Sequence, residues 1–177
     1  MRSVFLGFTL ALGALTAACT IDPPAGTPTP PMAGVLEPGP REARFGRTGE
    51  EVINNPQLRD KIRSLFGADW TPAAEGRGKI AKGAAAYVGR TEPPRGVRVG
   101  DANYVAVTGC VPANCGGERV LLLIQESGEG LLARLDEGGF SHYYAYGGNW
   151  GLAGTTAQIV DSARRALERS GNPYPRT

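Results

Sequence analysis

The chain has 177 residues, of which 41% are hydrophobic and 20% charged, a globular composition that predicts one domain around one core. Its 19 basic residues face 17 acidic ones, a balance that selects neither nucleic acid nor a strongly cationic partner. With three cysteines and a single histidine, ligands for a metal are scarce, and no metal or cofactor is expected.

Arg2 is followed by an apolar run from Val4 to Leu15 and then by small residues, the pattern of a secretory signal and too short for a membrane span. The run closes on Leu15-Thr16-Ala17-Ala18-Cys19, which resembles the bacterial lipoprotein box whose cysteine becomes the lipidated first residue. Residues 1–18 are therefore expected to be a lipoprotein signal peptide. Cys19 would anchor the protein to a membrane from the periplasmic side. Odd cysteine arithmetic agrees, because removing Cys19 leaves Cys110 and Cys115 to pair in an oxidising compartment.

Residues 19–45 read as a tether. Pro23, Pro24, Pro28, Pro30, Pro31, Pro38 and Pro40 are spaced by Gly, Ala and Thr, a composition that favours extended structure over a core. The folded domain is expected over 46–177. Its first helix is signalled by Asn55-Pro56, with Leu58, Ile62, Leu65 and Phe66 on one face and Gly67 as the stop. A second helix is expected within Ala74 to Val88, with Ile80, Ala84, Tyr87 and Val88 as its stripe and Gly76, Gly78 and Gly83 weakening it.

After the breaker Thr91-Glu92-Pro93-Pro94 the pattern turns to strands. Val97-Arg98-Val99 turns through Gly100-Asp101 into Tyr104 to Thr108, and Val120 to Ile124 is an unbroken apolar run. Such a run predicts a central strand covered on both faces, here by helices. Ser127-Gly128 and Gly138-Gly139 supply the next turns, giving about five strands in an antiparallel meander of an α+β fold. In the last strand His142, Tyr144 and Tyr146 share one face while Tyr143 and Ala145 take the other. With Trp150 nearby, Tyr144 and Tyr146 could stack on a sugar ring or serve as a packing face. The closing helix is expected from Thr155 or Thr156 to Ser170, capped by Thr155 to Gln158, buried through Ile159, Ala163, Ala166 and Leu167, and stopped at Gly171. Arg164, Arg165, Glu168 and Arg169 read as its solvated face, and Asn172 to Thr177 as a tail.

The segment Cys110-Val111-Pro112-Ala113-Asn114-Cys115 sits between two apolar strands. A disulfide closing so small a ring is worth about 2 kcal/mol in the loop-entropy picture. Its larger effect is a rigid tip that loses little entropy on binding. On chemistry alone the segment is either an insertion loop or a stapled turn.

From about Val99 to Leu135 the chain resembles the inhibitor of vertebrate lysozyme (Ivy-type) family of Gram-negative periplasms. Its members carry a Gly-Asp, a Tyr-led strand, a Cys-Lys-Pro-His-Asp-Cys loop followed by Gly and an Arg-led apolar strand, and later a Gly-Leu. The corresponding residues are Gly100-Asp101, Tyr104, Cys110 with Pro112 and Cys115, Gly116, Arg119 and Gly130-Leu131, with a weaker match upstream at Leu65-Phe66 to Trp70. The resemblance implies a five-stranded sheet flanked by helices, a Cys110–Cys115 disulfide, and an exported binding protein without catalysis. In family members that inhibit lysozyme, a basic residue and a histidine of the loop address the enzyme's acidic cleft. Val111 and Ala113 stand at those positions and carry neither charge nor a side-chain donor. The partner implied is thus a lysozyme-type enzyme or a lytic transglycosylase. The alternative is a structural or glycan-binding envelope lipoprotein.

Overall fold

The computed structural model describes residues 29–148 and 153–175. Six strands follow one another across a single antiparallel sheet: β1 Ala33–Val35, β2 Arg95–Val99, β3 Ala102–Cys110, β4 Arg119–Gln125, β5 Leu131–Glu137 and β6 Phe140–Tyr146. Helices α1 Gly49–Asn54, α2 Arg59–Phe66 and α3 Ala84–Tyr87 lie between β1 and β2, and α4 Ala153–Arg169 follows β6. This is the expected α+β class, with six strands where about five were foreseen. The additional one, β1, lies inside the proline-rich stretch. Ala33 and Val35 pair with Val99 and Val97, so the last part of that stretch belongs to the sheet.

Strand alternation divides the core in two. Val105, Val107, Val120, Leu122, Ile124, Leu131, Ala133 and Leu135 face α1, α2 and the α3 region, where they meet Leu58, Ile62, Phe66, Ile80 and Tyr87. Val97, Tyr104, Ala106, Leu121, Leu123 and Leu132 face the other way, against Val160, Ala163 and Leu167 of α4. All five residues from Val120 to Ile124 are buried, which is the two-sided coverage that their unbroken apolar run predicts.

The helices depart from expectation in instructive ways. α1 is six residues long, too short to show a period, and rests on a cap: Thr48 Oγ1 accepts from the Glu51 N–H at 3.1 Å and Glu51 Oε2 accepts from the Arg47 N–H at 2.6 Å. Asn55 ends that helix instead of starting the next. Its side chain accepts from the Gln57 N–H at 2.8 Å, and α2 begins only at Arg59. Between Ala74 and Val88 only Ala84–Tyr87 is helical. Gly83 has a φ of +70°, and a Cβ there would lie 2.4 Å from the Thr71 carbonyl carbon, so backbone crossing outweighs helical spacing. Ile80, Ala84, Tyr87 and Val88 are nonetheless buried.

α4 already begins at Ala153, which puts Thr155 inside its first turns and not at the cap. Of its charged residues Arg165, Glu168 and Arg169 are exposed, while Arg164 is half-buried and pairs with Glu168 at 2.6 Å. After Gly171 the chain does not trail away. Pro173, Tyr174 and Pro175 are buried, the Thr108 hydroxyl donates to the Pro173 carbonyl, and the Arg119 guanidinium stacks 4.7 Å from the Tyr174 ring centre. Thr108, Arg119 and Tyr174 thus lock the segment after α4 onto β3 and β4. Tyr174→Ala should cost about 3 kcal/mol of stability, as expected for emptying a buried aromatic site, and urea unfolding with fluorescence detection would measure it. A true tail would leave the midpoint unchanged.

Candidate functional site

The end of the sheet where β3 passes into β4 carries the disulfide loop. Cys110 and Cys115 are bonded, with their Cα atoms 5.0 Å apart, and both are buried. The Cys110 N–H donates to the Arg90 carbonyl at 3.1 Å, and Gly109 makes an isolated bridge with Thr91. Gly109 is required there, because a Cβ would lie 2.4 Å from the Tyr87 carbonyl oxygen. The chain running from α3 into β2 therefore presses directly on the root of the loop.

Within the loop the backbone satisfies itself. The Val111 N–H donates to the Glu118 carbonyl at 3.1 Å, the Asn114 N–H to the Val111 carbonyl at 3.0 Å, and the Gly117 and Glu118 N–H groups to the Asn114 carbonyl at 3.2 and 2.9 Å. Pro112 and Ala113 are the central residues of a turn whose second position has φ +69°, a conformation that usually selects glycine. The side chain of Val111 is buried, 8% exposed, and belongs to the core. The six-residue segment thus separates into an anchor, Cys110, Val111 and Cys115, and an exposed tip, Pro112, Ala113 and Asn114.

Neighbouring groups brace this end. Lys82 Nζ meets Glu118 Oε2 at 2.7 Å. Glu137 accepts from the Ala81 N–H at 3.1 Å and from the Tyr87 hydroxyl at 3.0 Å. The β5–β6 turn at Gly138-Gly139 opens at the same end of the sheet, and beside it Phe140 is 74% exposed. Phe140 was not singled out in sequence, since an isolated aromatic at a strand start carries no spacing signal. On the α4 side, Arg134 donates to Asp136 at 2.8 Å and to Asp161 at 2.6 Å, and Tyr143 donates to Asp161 at 3.0 Å. Burial alone would lower the Arg134 pKa, but these carboxylates more than offset it and hold the guanidinium charged.

Two aromatics on one face of β6, Tyr144 and Tyr146, pack against the helical core. Tyr144 lies edge-on to Phe66 with ring centres 4.9 Å apart, and its hydroxyl donates to Asp69 at 2.9 Å. Asp69 also accepts from the Lys79 N–H, so one carboxylate ties β6 to the irregular segment before α3. Tyr146 is half-buried against the same core, and His142 is half-buried on that face of β6. Trp150 and Cys19 lie outside the described residues, so their expected roles in sugar stacking and lipidation have no structural counterpart here. Among the described residues no group of three or more His, Cys, Asp or Glu is placed to hold a metal ion, and no helix is long and apolar enough to cross a membrane. Comparison with family models, curated proteins and solved structures finds no match.

Two expectations follow. Ala113→Gly should relieve the left-handed turn position, which costs a non-glycine residue about 1–2 kcal/mol. Glycine's greater unfolded entropy returns part of this, leaving a net gain of about 0.5–1 kcal/mol that differential scanning calorimetry would resolve. Separately, burial raises the hydroxyl pKa values of Tyr87, Tyr104, Tyr143, Tyr144 and Tyr174, that of Tyr174 to about 12. Unfolded tyrosine ionises near pH 10 while these stay protonated, so their stabilisation is complete below that pH and is lost as pH rises from 10 through 12. Each fully buried ring forfeits up to about 1.4 kcal/mol per pH unit. Tm should be nearly constant from pH 7 to 9 and fall steeply from 10 to 12.

Proposed function

We propose that this chain is an exported, lipid-anchored binding protein of Ivy-like type that engages a peptidoglycan-cleaving enzyme through the tip Pro112-Ala113-Asn114. The observation that carries the proposal is the division of the loop into a buried anchor and an exposed tip. Cys110 and Cys115 are bonded beneath the tip, Val111 is sunk in the core, and the turn's own carbonyls and N–H groups are paired. A loop built this way enters a cleft without paying for ordering.

The tip offers a proline ring, a methyl group and the Asn114 amide, with no charge. Inserted beside the carboxylates of a glycan-cleaving enzyme, it would act by occupying space and by hydrogen bonds from Asn114. Phe140, exposed at the same end, is an aromatic, a residue class enriched at the core of protein interfaces. A lytic transglycosylase of the cell's own envelope fits this neutral tip better than a cationic lysozyme, whose long-range attraction needs an acidic partner. Lipidation at Cys19 would hold the domain at a membrane surface through residues 20–32, a shorter spacer than the sequence suggested, because β1 takes up the residues that follow. No catalytic role is proposed.

The test uses the chain from Thr20, assayed against a C-type lysozyme and a lytic transglycosylase. Wild type should inhibit the transglycosylase, Asn114→Ala together with Phe140→Ala should weaken inhibition by about tenfold or more, and Ala113→His should gain activity toward lysozyme. Absence of inhibition by both wild type and the histidine variant, against both enzymes, would overturn the proposal.

A further inference from the structure

The two outer strands of the sheet are built on opposite principles. β1 has three residues, is flanked by Pro30, Pro31 and Pro38, and is tied to α4 where Arg169 donates to the Ala33 carbonyl at 3.2 Å. That is how folded proteins blunt an edge against stray pairing. β6 has seven residues, Phe140-Ser141-His142-Tyr143-Tyr144-Ala145-Tyr146, with no proline and no Lys, Arg, Asp or Glu. It ends the strand order, and among the described residues no strand pairs with its outer side. Its first residue, Phe140, is one of two large hydrophobic side chains that stand exposed among the described residues.

The hairpin geometry decides which backbone groups β6 presents. Gly138 and Gly139 have φ values of +59° and +84°, the signature of a two-residue type I′ turn. In such a hairpin the pair flanking the turn, Glu137 and Phe140, exchanges hydrogen bonds, and bonded and non-bonded pairs then alternate along the ladder. Phe140, His142, Tyr144 and Tyr146 therefore spend their N–H and C=O groups on β5. Ser141, Tyr143 and Ala145 turn theirs outward.

We propose that β6 pairs antiparallel with β6 of a second copy of this chain, about a two-fold axis centred on Tyr143, forming one twelve-stranded sheet across the dimer. This register uses every outward group: Ser141 lies opposite Ala145 of the second copy, and Tyr143 opposite Tyr143. Phe140 then faces Tyr146 of the second copy and His142 faces Tyr144, in the non-bonded pairs where side chains come closest. Aromatic cross-strand pairs stabilise such a seam, and like charges, which would oppose a self-pair, are absent from the strand. The covered edge has the exposed Phe140 at its rim, so pairing also shields that ring. A seam of seven residues, about 24 Å long, falls at the small end of specific interfaces and implies a micromolar dissociation constant. Because Phe140 also belongs to the proposed enzyme contact, pairing and engagement of the enzyme through that ring would compete, and Ala145→Pro, which lies outside that contact, tells the two apart.

The chain from Thr20, which retains every described residue, should show a monomer–dimer equilibrium by sedimentation velocity between about 5 and 500 μM. On concentration, the amides of Ser141, Tyr143 and Ala145 should gain protection from hydrogen exchange, while those of Phe140, His142 and Tyr144 are protected throughout. Ala145→Pro removes one outward donor and no bond to β5, so it should raise the dissociation constant about tenfold or more with little change in Tm. Should that variant fail to fold, Phe140→Lys carries the same expectation through its lost contact with Tyr146. A chain that stays monomeric across this range would overturn the proposal. So would a dimer whose dissociation constant neither variant alters, or one that protects amides away from β6.

Discussion

The structure depends on the burial of β4 from both sides. Val120, Leu122 and Ile124 point toward the helices that precede the sheet, Leu121 and Leu123 toward α4, and all five are excluded from water. Burying one such aliphatic side chain contributes roughly 2–3 kcal/mol before chain entropy is subtracted, so this strand sets where both helical layers must lie. Once they are placed, the loop at its upstream end is held between β3, the root of β2 and the Lys82–Glu118 pair, and it has little freedom to be anywhere else.

What was legible in the sequence was what periodicity and turn chemistry encode. The unbroken run Val120–Ile124, the turns at Gly100-Asp101 and Gly138-Gly139, and the pairing of Cys110 with Cys115 are local patterns, and each appears in the fold. Features set by distant contacts were not legible. β1 exists because Ala33 and Val35 find Val99 and Val97 in register, a partnership that prolines on either side conceal. Ile80 and Val88 are apolar and buried as expected, yet Gly83 must pass against the Thr71–Pro72 backbone, and that crossing breaks the helix their spacing suggests. Val111 belongs to the core because β3 alternation continues one residue past Cys110, and composition alone does not reveal where a strand's alternation stops.

The polar ties follow the same rule. Asp69 gathers the Lys79 N–H and the Tyr144 hydroxyl from positions far away in sequence, and Asp161 gathers Arg134 and Tyr143. Each carboxylate fixes the angle at which a helical layer meets β6, a task apolar packing performs loosely because it lacks direction. Tyr143 and Tyr144 of β6 are thereby drawn inward, one on each face. Among the described residues, no strand pairs with the outer backbone edge of β6.

The docking of Pro173 and Tyr174 against Thr108 and Arg119 bears on the order in which the protein can assemble. Synthesis delivers all six strands before α4 and the segment that follows it, so Leu121, Leu123 and Leu132 face solvent until residues 153–175 arrive. During that interval the sheet is a sticky, one-sided object, which the docking of α4 and Tyr174 completes. The clasp that finishes the core is made of residues synthesised after every strand it holds.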